Sequence, residues 1–273
     1  MTIRFETLQN GDRIPLIGLG TWGMGGGHKA DHTSDDDTVK AIQLAINLGM
    51  THLDTAESYA AGHSEDLVGR AIRDFKRSDV FVTTKVSAEN LRFKDVFTAL
   101  SQSLKRLGLD YVDMYLVHWP SRSIPLKDTF RALNDLVTQG SVRHVGVSNF
   151  DVDLLKQAQS LCDTPIATNQ VPYSLFHREY AANGVHEYCQ QTGILFTAYT
   201  PVEVLVARGN PVVKEIAARH SATPIQVALS WVIRQPKVIT IPKSTNEAHL
   251  RENVGAYDLE LSPEDVERLD RLM

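Results

Sequence analysis

Four side chains of unlike chemistry stand at or just beyond the ends of short apolar runs. Asp54 ends the strand within THLDTA, Tyr59 follows in LDTAESY, Lys85 lies in VFVTTKV and His118 in YVDMYLVHW. A phenol with an ordinary pKa of about 10 is a poor acid at neutral pH, and a nearby ammonium stabilises its phenolate and lowers that value. Lys85 fits the part of that cation, and Asp54 would keep it charged and oriented. A neutral His118 would donate a hydrogen bond to a carbonyl oxygen as negative charge develops there. Tyr59 would then deliver the proton. A proton donor with no nucleophile beside it suits reduction of a carbonyl by hydride, and hydride must come from a cofactor.

Each residue alone also has an ordinary explanation: a turn-capping Asp, a surface Tyr, a solvated Lys, a satisfied strand-end His. The argument lies in their convergence, because Asp, Lys and His buried at neighbouring strand ends cost desolvation unless they satisfy one another. A metal centre fits less well. One His and one Asp beside Lys and Tyr make a poor zinc set, and His28 and His32 in the polar loop MGGGHKADHTSDDDT read as solvated. No metal is expected.

The elements that must position these groups alternate. β-branched runs are followed by amphipathic ones: LIGLGTW then TVKAIQLAINLG, THLDTA then SEDLVGRAIRDF, VFVTTKV then FKDVFTALSQSLKRLG, YVDMYLVHW then KDTFRALNDLVTQG. The pattern continues with VRHVGVSN and DVDLLKQAQSL, IATNQV and EYAANGVHEYCQQTG, ILFTAY and NPVVKEIAARH, VITIPKS and NEAHLRENVGAY. Eight strand–helix pairs without a Pro/Gly-rich linker predict an α/β (β/α)8 TIM barrel, with residues 1–273 as one domain. An open doubly wound sheet is the alternative. Outside the repeat stand an N-terminal β-hairpin with Asn10-Gly11 as a type I′ turn, an extra helix TPIQVALSWVIRQ, and a last helix SPEDVERLDRLM.

Gly18-Leu-Gly20-Thr-Trp-Gly23 spells G-x-G-x-x-G, but no helix starts at Gly23 and the next apolar periodicity begins near Val39. A dinucleotide fingerprint needs that helix N-terminus. The glycines therefore read as a barrel loop with close backbone approach.

Lys+Arg 28 against Asp+Glu 33 gives a net charge of -5, so no global positive field favours nucleic acid. The N-terminal stretch lacks the order of a signal peptide, and no apolar run approaches the ~20 residues of a membrane span. A cytoplasmic protein with no membrane partner is expected. Cys162 and Cys189, in no metal or redox motif, read as free thiols. Nothing demands a dimer, and a monomer is the default.

From about residue 5 to the last helix the sequence resembles the aldo-keto reductases. LDTAESY, TTKV and LVHWP look like that family's catalytic tetrad, in order: Asp54, Tyr59, Lys85 and His118. The resemblance implies a barrel that binds NADPH in extended form and reduces aldehydes or ketones to alcohols. It assigns Ser148, Asn149 and Gln170 to the nicotinamide carboxamide, and Tyr199 to the stacking ring, with Thr200 beside it. Thr21, next to Trp22, and Asp54 are also implied cofactor contacts. Lys243 and Ser244 match 2′-phosphate contacts, and Glu252 and Asn253 match adenine contacts. Where many relatives have Arg, this chain has His249, which lacks the bidentate fork. NADPH is still favoured through Lys243, with NADH tolerated more weakly, and helical spacing points Arg251 to another face.

Trp22 and Trp119 are expected to wall the substrate pocket. The loops PSRSIPL and TPVEVLVARGN are short, and the chain ends at Met273 directly after its last helix. An open site for small aldehydes, dicarbonyls or α-keto compounds is expected. A non-catalytic, nicotinamide-sensing barrel of the same family is the alternative, separable by its lack of turnover.

Overall fold

The structure is a computed structural model and describes residues 2–202 and 204–272, with the side chains of 204–206 left aside. A short antiparallel pair, β1 (Phe5–Thr7) and β2 (Arg13–Pro15), precedes eight parallel strands. These are β3 (Leu19–Gly20), β4 (His52–Asp54), β5 (Phe81–Val86), β6 (Val112–Val117), β7 (Val142–Ser148), β8 (Thr168–Pro172), β9 (Leu195–Tyr199) and β10 (Val238–Thr240). They pair in chain order from β3 to β10. A parallel bridge between Ile17 and Thr240 joins the two ends. There the Gly18 N–H donates to Thr240 O at 2.8 Å and the Thr240 N–H to Leu16 O at 2.7 Å. The sheet is a closed (β/α)8 barrel.

Closure explains the composition of the strands. With side chains on one face filling the barrel and on the other packing under helices, β5 and β6 are buried at every position. The helices present one apolar stripe each. In α3 (Phe93–Leu107) that stripe is Val96, Ala99, Leu100, Ser103 and Leu107, and Gly108 ends the helix in the left-handed region at φ 66°. α1 (Asp35–Asn47), α2 (His63–Ile72), α4 (Leu126–Thr138) and α5 (Val152–Leu161) follow the same rule. After β8 come α6 (Glu179–Ala182) and α7 (Val185–Thr192), and after β9 come α8 (Val204–Gly209), α9 (Pro211–Arg219) and α10 (Pro224–Ile233). α11 (Glu247–Gly255) follows β10, and α12 (Pro263–Asp270) comes last. Thr223 and Gln226 form a capping box on α10, and Ser262 and Asp265 another on α12.

Three details depart from the sequence reading. The hairpin is not a type I′ turn: Asn10 keeps a negative φ and only Gly11, at 93°, is left-handed. Gly11 N–H donates to Leu8 O and Leu8 N–H to Asp12 O, which is a three-residue loop with a glycine bulge. The run 179–193 does not form one helix. It breaks at Asn183-Gly184, where Gly184 takes φ 80°. TPVEVLVARGN, read as a loop, contributes α8; Glu203 within it and Met273 lie outside the described residues.

The glycine signature resolves as backbone crowding. A Cβ on Gly18 would come within 2.7 Å of His52 O, and one on Gly20 within 2.6 Å of Ile241 O. These glycines let the first barrel strand approach both neighbours. Among the described residues no helix begins before Asp35. Among the described residues no helix is long and apolar enough to cross a membrane. Cys162 and Cys189 are free, and burial pushes the Cys189 thiol up to about 12.

Candidate active site

β4, β5 and β6 deliver Asp54, Lys85 and His118 to the same end of the barrel, and a 3-10 turn over residues 59–62 begins at Tyr59. Lys85 and Asp54 are at most 1% exposed and lie 2.5 Å apart, Nζ to Oδ1. Lys85 Nζ also donates to Thr55 O at 2.9 Å and to the Tyr59 hydroxyl oxygen at 3.1 Å. All three ammonium hydrogens thus have acceptors, which is what a buried lysine needs. Because the phenol oxygen accepts from Lys85, its own hydrogen is available to another partner. The Tyr59 and His118 rings meet edge to face with centroids 5.6 Å apart.

Burial acts on each titratable group, and the neighbours decide the outcome. Burial alone would lower Lys85; Asp54 and Tyr59 outweigh it and the ammonium is held above its ordinary range. Burial, then the charge of Lys85, pushes His118 down to about 3, so its imidazole is neutral at neutral pH. Tyr59 corrects the sequence reading. Burial first, and Asp54 with it, raise the phenol above 10.0, and Lys85 only moderates the rise. The ammonium is already neutralised by a carboxylate at 2.5 Å, so its net field at the phenol is small.

The turn carrying Tyr59 is unusual. Ala60, Ala61 and Gly62 take φ of 51°, 54° and 95° in succession, a left-handed run that costs an L-residue about 1–2 kcal/mol. Asn149 (φ 65°) and Thr200 (φ 48°) are also left-handed and sit just past β7 and β9.

A chain of hydrogen bonds crosses the mouth. The Tyr199 hydroxyl donates to Asn149 Oδ1 at 2.9 Å, Asn149 Nδ2 to Ser148 Oγ at 2.9 Å, and Ser148 Oγ to Gln170 O at 2.7 Å. Gln170 Nε2 donates to Asp54 Oδ2 at 2.7 Å, so the two carboxylate oxygens of Asp54 serve Gln170 and Lys85 separately. Thr21 Oγ1 donates to Asp54 O at 3.0 Å. Strand ends that are remote in the chain are locked into one network.

The network floors a cavity of about 780 Å³. Thr21, Trp22, Asp54, Tyr59, His118, Trp119, Ser148, Asn149, Gln170, Tyr199 and Thr200 line it, and so do Lys243, His249, Glu252 and Asn253. Ser244 is outside the lining; its hydroxyl accepts from the Asn246 N–H at 3.0 Å. Trp22 and Trp119 stand at the rim, 47% and 50% exposed, and Trp22 packs edge-on against Tyr59 at 5.0 Å. Arg251 is engaged by Glu247.

Sequence reasoning missed several lining residues, among them His28, Arg208 and Glu89. His28, read as solvated, lines the cavity and meets the Trp22 ring at 5.3 Å. Arg208 on α8 also lines it, with Nη2 3.7 Å from Glu252 Oε2. A cation in the segment after the seventh barrel strand was the available signal. His32 is exposed, yet its Nδ1 lies 3.2 Å from Asp35 Oδ2.

A closed barrel with a buried ammonium–phenol pair and a neutral imidazole at its mouth defines a barrel enzyme able to hand a proton to an oxygen. The model of the aldo/keto reductase family matches residues 16–273. Methylglyoxal reductase YeaE of Escherichia coli (strain K12) is 38% identical over 266 residues, 94% of this chain and 90% of that protein. The crystal structure of a thermostable aldo-keto reductase, Tm1743, with the inhibitor epalrestat superposes with a TM-score of 0.95 at 42% identity, covering 99% of this chain and 100% of that one. An aldo/keto reductase from Klebsiella pneumoniae, solved with NADP and acetate, gives 0.90 at 36% identity, covering 99% and 95%. The chain belongs to the aldo/keto reductase family and is an oxidoreductase of carbonyl and alcohol groups.

Proposed function

We propose that this protein reduces small aldehydes, ketones and dicarbonyls to alcohols with NADPH, Tyr59 giving the proton, and that residues 1–273 work as one barrel domain. The observation that carries the reading is the Asp54–Lys85–Tyr59 chain opening beside a neutral His118 into a cavity of ligand size. The relatives add support: one is named a methylglyoxal reductase and another was crystallised with NADP.

The cavity suits an extended dinucleotide. One end has an aromatic ring, Tyr199, beside the polar side chains of Ser148, Asn149 and Gln170, which suits an uncharged carboxamide ring. The other has Lys243, Arg208 and His249 with Glu252 and Asn253, which suits phosphate and adenine. Thr21, Asp54 and Thr200 complete the walls, and Ser244 would assist Lys243. NADPH, when bound, supplies the hydride. NADH would bind more weakly because Lys243 and Arg208 have no 2′-phosphate to meet.

The protein's own work is orientation and proton delivery. His118, as a neutral donor, stabilises the substrate oxygen while negative charge grows on it. Tyr59 gives its hydrogen to that oxygen, and Lys85 holds the resulting phenolate. Asp54 fixes the ammonium and, through Gln170, ties the proton donor to the opposite wall. Trp22 and Trp119 leave the rim half open, which suits small substrates over bulky ones.

The test is NADPH oxidation at 340 nm with methylglyoxal and a benzaldehyde, beside NADH and Tyr59→Phe controls. Tyr59-dependent turnover is expected. Tight NADPH binding without turnover on a broad carbonyl panel would favour the sensing barrel instead.

A further inference from the structure

Away from the reacting groups, three elements bring together a ligand set that their sequence positions hide. His32 lies in the loop between β3 and α1, Asp35 opens α1, and His63 opens α2. Asp35 Oδ1 is 2.7 Å from His63 Nε2, and Asp35 Oδ2 is 3.2 Å from His32 Nδ1. One nitrogen from each imidazole and one carboxylate oxygen lie within 4.8 Å of one another, and the two rings are 4.0 Å apart. We propose that His32, Asp35 and His63 form a binding site for a divalent transition-metal ion such as zinc, which staples the loop after β3 to the start of α2.

Two imidazoles and a carboxylate are a zinc ligand set, with bonds of about 2.0–2.2 Å that place neighbouring ligand atoms roughly 3.3 Å apart in a tetrahedron. The three ligand atoms lie within 4.8 Å of one another, and the 2.7 Å between His63 Nε2 and Asp35 Oδ1 is a hydrogen-bond length that opens by about 0.6 Å when an ion replaces the shared hydrogen. The surroundings favour a cation. Asp66 Oδ2 lies 3.7 Å from the other ring nitrogen of His63 and adds a negative charge beside the site. Asp31 adds negative charge near the start of α1, where Asp36 and Asp37 are paired with Arg70 and Lys40. Arg70 approaches Asp35 Oδ2 at 3.5 Å and pairs with Asp36, so the ion would bind on the Oδ1 side in place of the hydrogen shared with His63.

Access and shape also fit. The His63 side chain is 8% exposed and His32 68%, so the ion would be anchored on the protein side and reached, with a water as fourth ligand, from solvent. The loop already lies against α2. Ser64 Oγ donates to Met24 O, and a Cβ on Gly25 would strike His63 Cδ2 at 2.7 Å. The same loop carries His28, and Trp22 lies at its start.

The experiment uses tag-free, chelator-washed full-length protein titrated with zinc by calorimetry and with cobalt by visible absorption. One ion per chain is expected, with cobalt bands of a tetrahedral N/O site that zinc displaces, and a melting temperature raised by zinc. His32→Ala, at an exposed position, should abolish the cobalt bands and the zinc-dependent rise. Asp66→Asn should weaken binding by less, through loss of a nearby negative charge, and His32→Cys should retain it. The proposal is overturned if no ion binds, or if His32→Ala binds zinc with unchanged stoichiometry and affinity. None of these readouts depends on turnover.

Discussion

Replacing Tyr59 with phenylalanine removes one oxygen and tests the whole proton-delivery argument. Lys85 would keep two of its three acceptors, Asp54 Oδ1 at 2.5 Å and Thr55 O at 2.9 Å, so the ammonium stays paired with its carboxylate and the fold should hold at the cost of one unsatisfied hydrogen. In the proposed reaction the main loss is the proton donor. Positioned proton transfer contributes typically 10²–10⁴ in rate, or about 2.7–5.4 kcal/mol at about 1.36 kcal/mol per tenfold. The assay is kcat for methylglyoxal with NADPH, alongside NADPH affinity by fluorescence. The variant should lose two to four decades, roughly, in kcat, while NADPH affinity changes by less than about threefold. The pH profile sharpens the test. Tyr59 is raised above 10.0 and His118 lies at about 3, so the acid stays protonated and the imidazole neutral across the working range. Wild-type kcat should be flat from about pH 5 to about pH 9. A fall through about pH 8 would refute the burial argument, because it would mean that Lys85 does lower the phenol into that range. Full activity in Tyr59→Phe would refute the assignment itself.

Other consequences are open to measurement. His249→Arg should raise the preference for NADPH over NADH by about 10- to 150-fold, since a charge-assisted bond to a phosphate is worth about 1.5–3 kcal/mol; an unchanged ratio of coenzyme Kd values would show that residue 249 does not reach the 2′-phosphate. Arg208→Ala should weaken NADPH more than NADH in the same assay, and equal losses would count against its assigned part. Buried His52 is pushed down to about 4, chiefly by burial, from 6.5 in the unfolded chain. The unfolded state therefore binds more protons between those values, and stability falls as pH drops through that window, by about 2 kcal/mol at pH 5. Urea melts at pH 5 and 8 should show this, with a smaller difference in His52→Gln. Ala61→Gly should raise stability by about 0.5 kcal/mol, because relief of the left-handed penalty exceeds the added freedom of the unfolded chain.

The alternation of β-branched and amphipathic runs was enough to predict the barrel, because strand and helix periods are set by neighbours along the chain. The same locality made Asp54, Lys85 and His118 legible: each stands at or just past a strand end, and parallel strands put such ends on one rim. Gly18 and Gly20 were readable as close-approach positions, although the atoms they avoid, His52 O and Ile241 O, emerge only on closure. Tertiary structure alone decided the rest. The sign of the Tyr59 shift depends on burial and on the 2.5 Å contact that neutralises Lys85, neither of which spacing can supply. The bond from Gln170 to Asp54 joins residues 116 apart, and Arg208 on α8 lines the same cavity as Glu252 on α11. His32 looked like a solvated loop residue until α2 brought His63 beside it. Periodicity records which way a side chain faces; desolvation and pair geometry depend on what arrives from elsewhere in the chain.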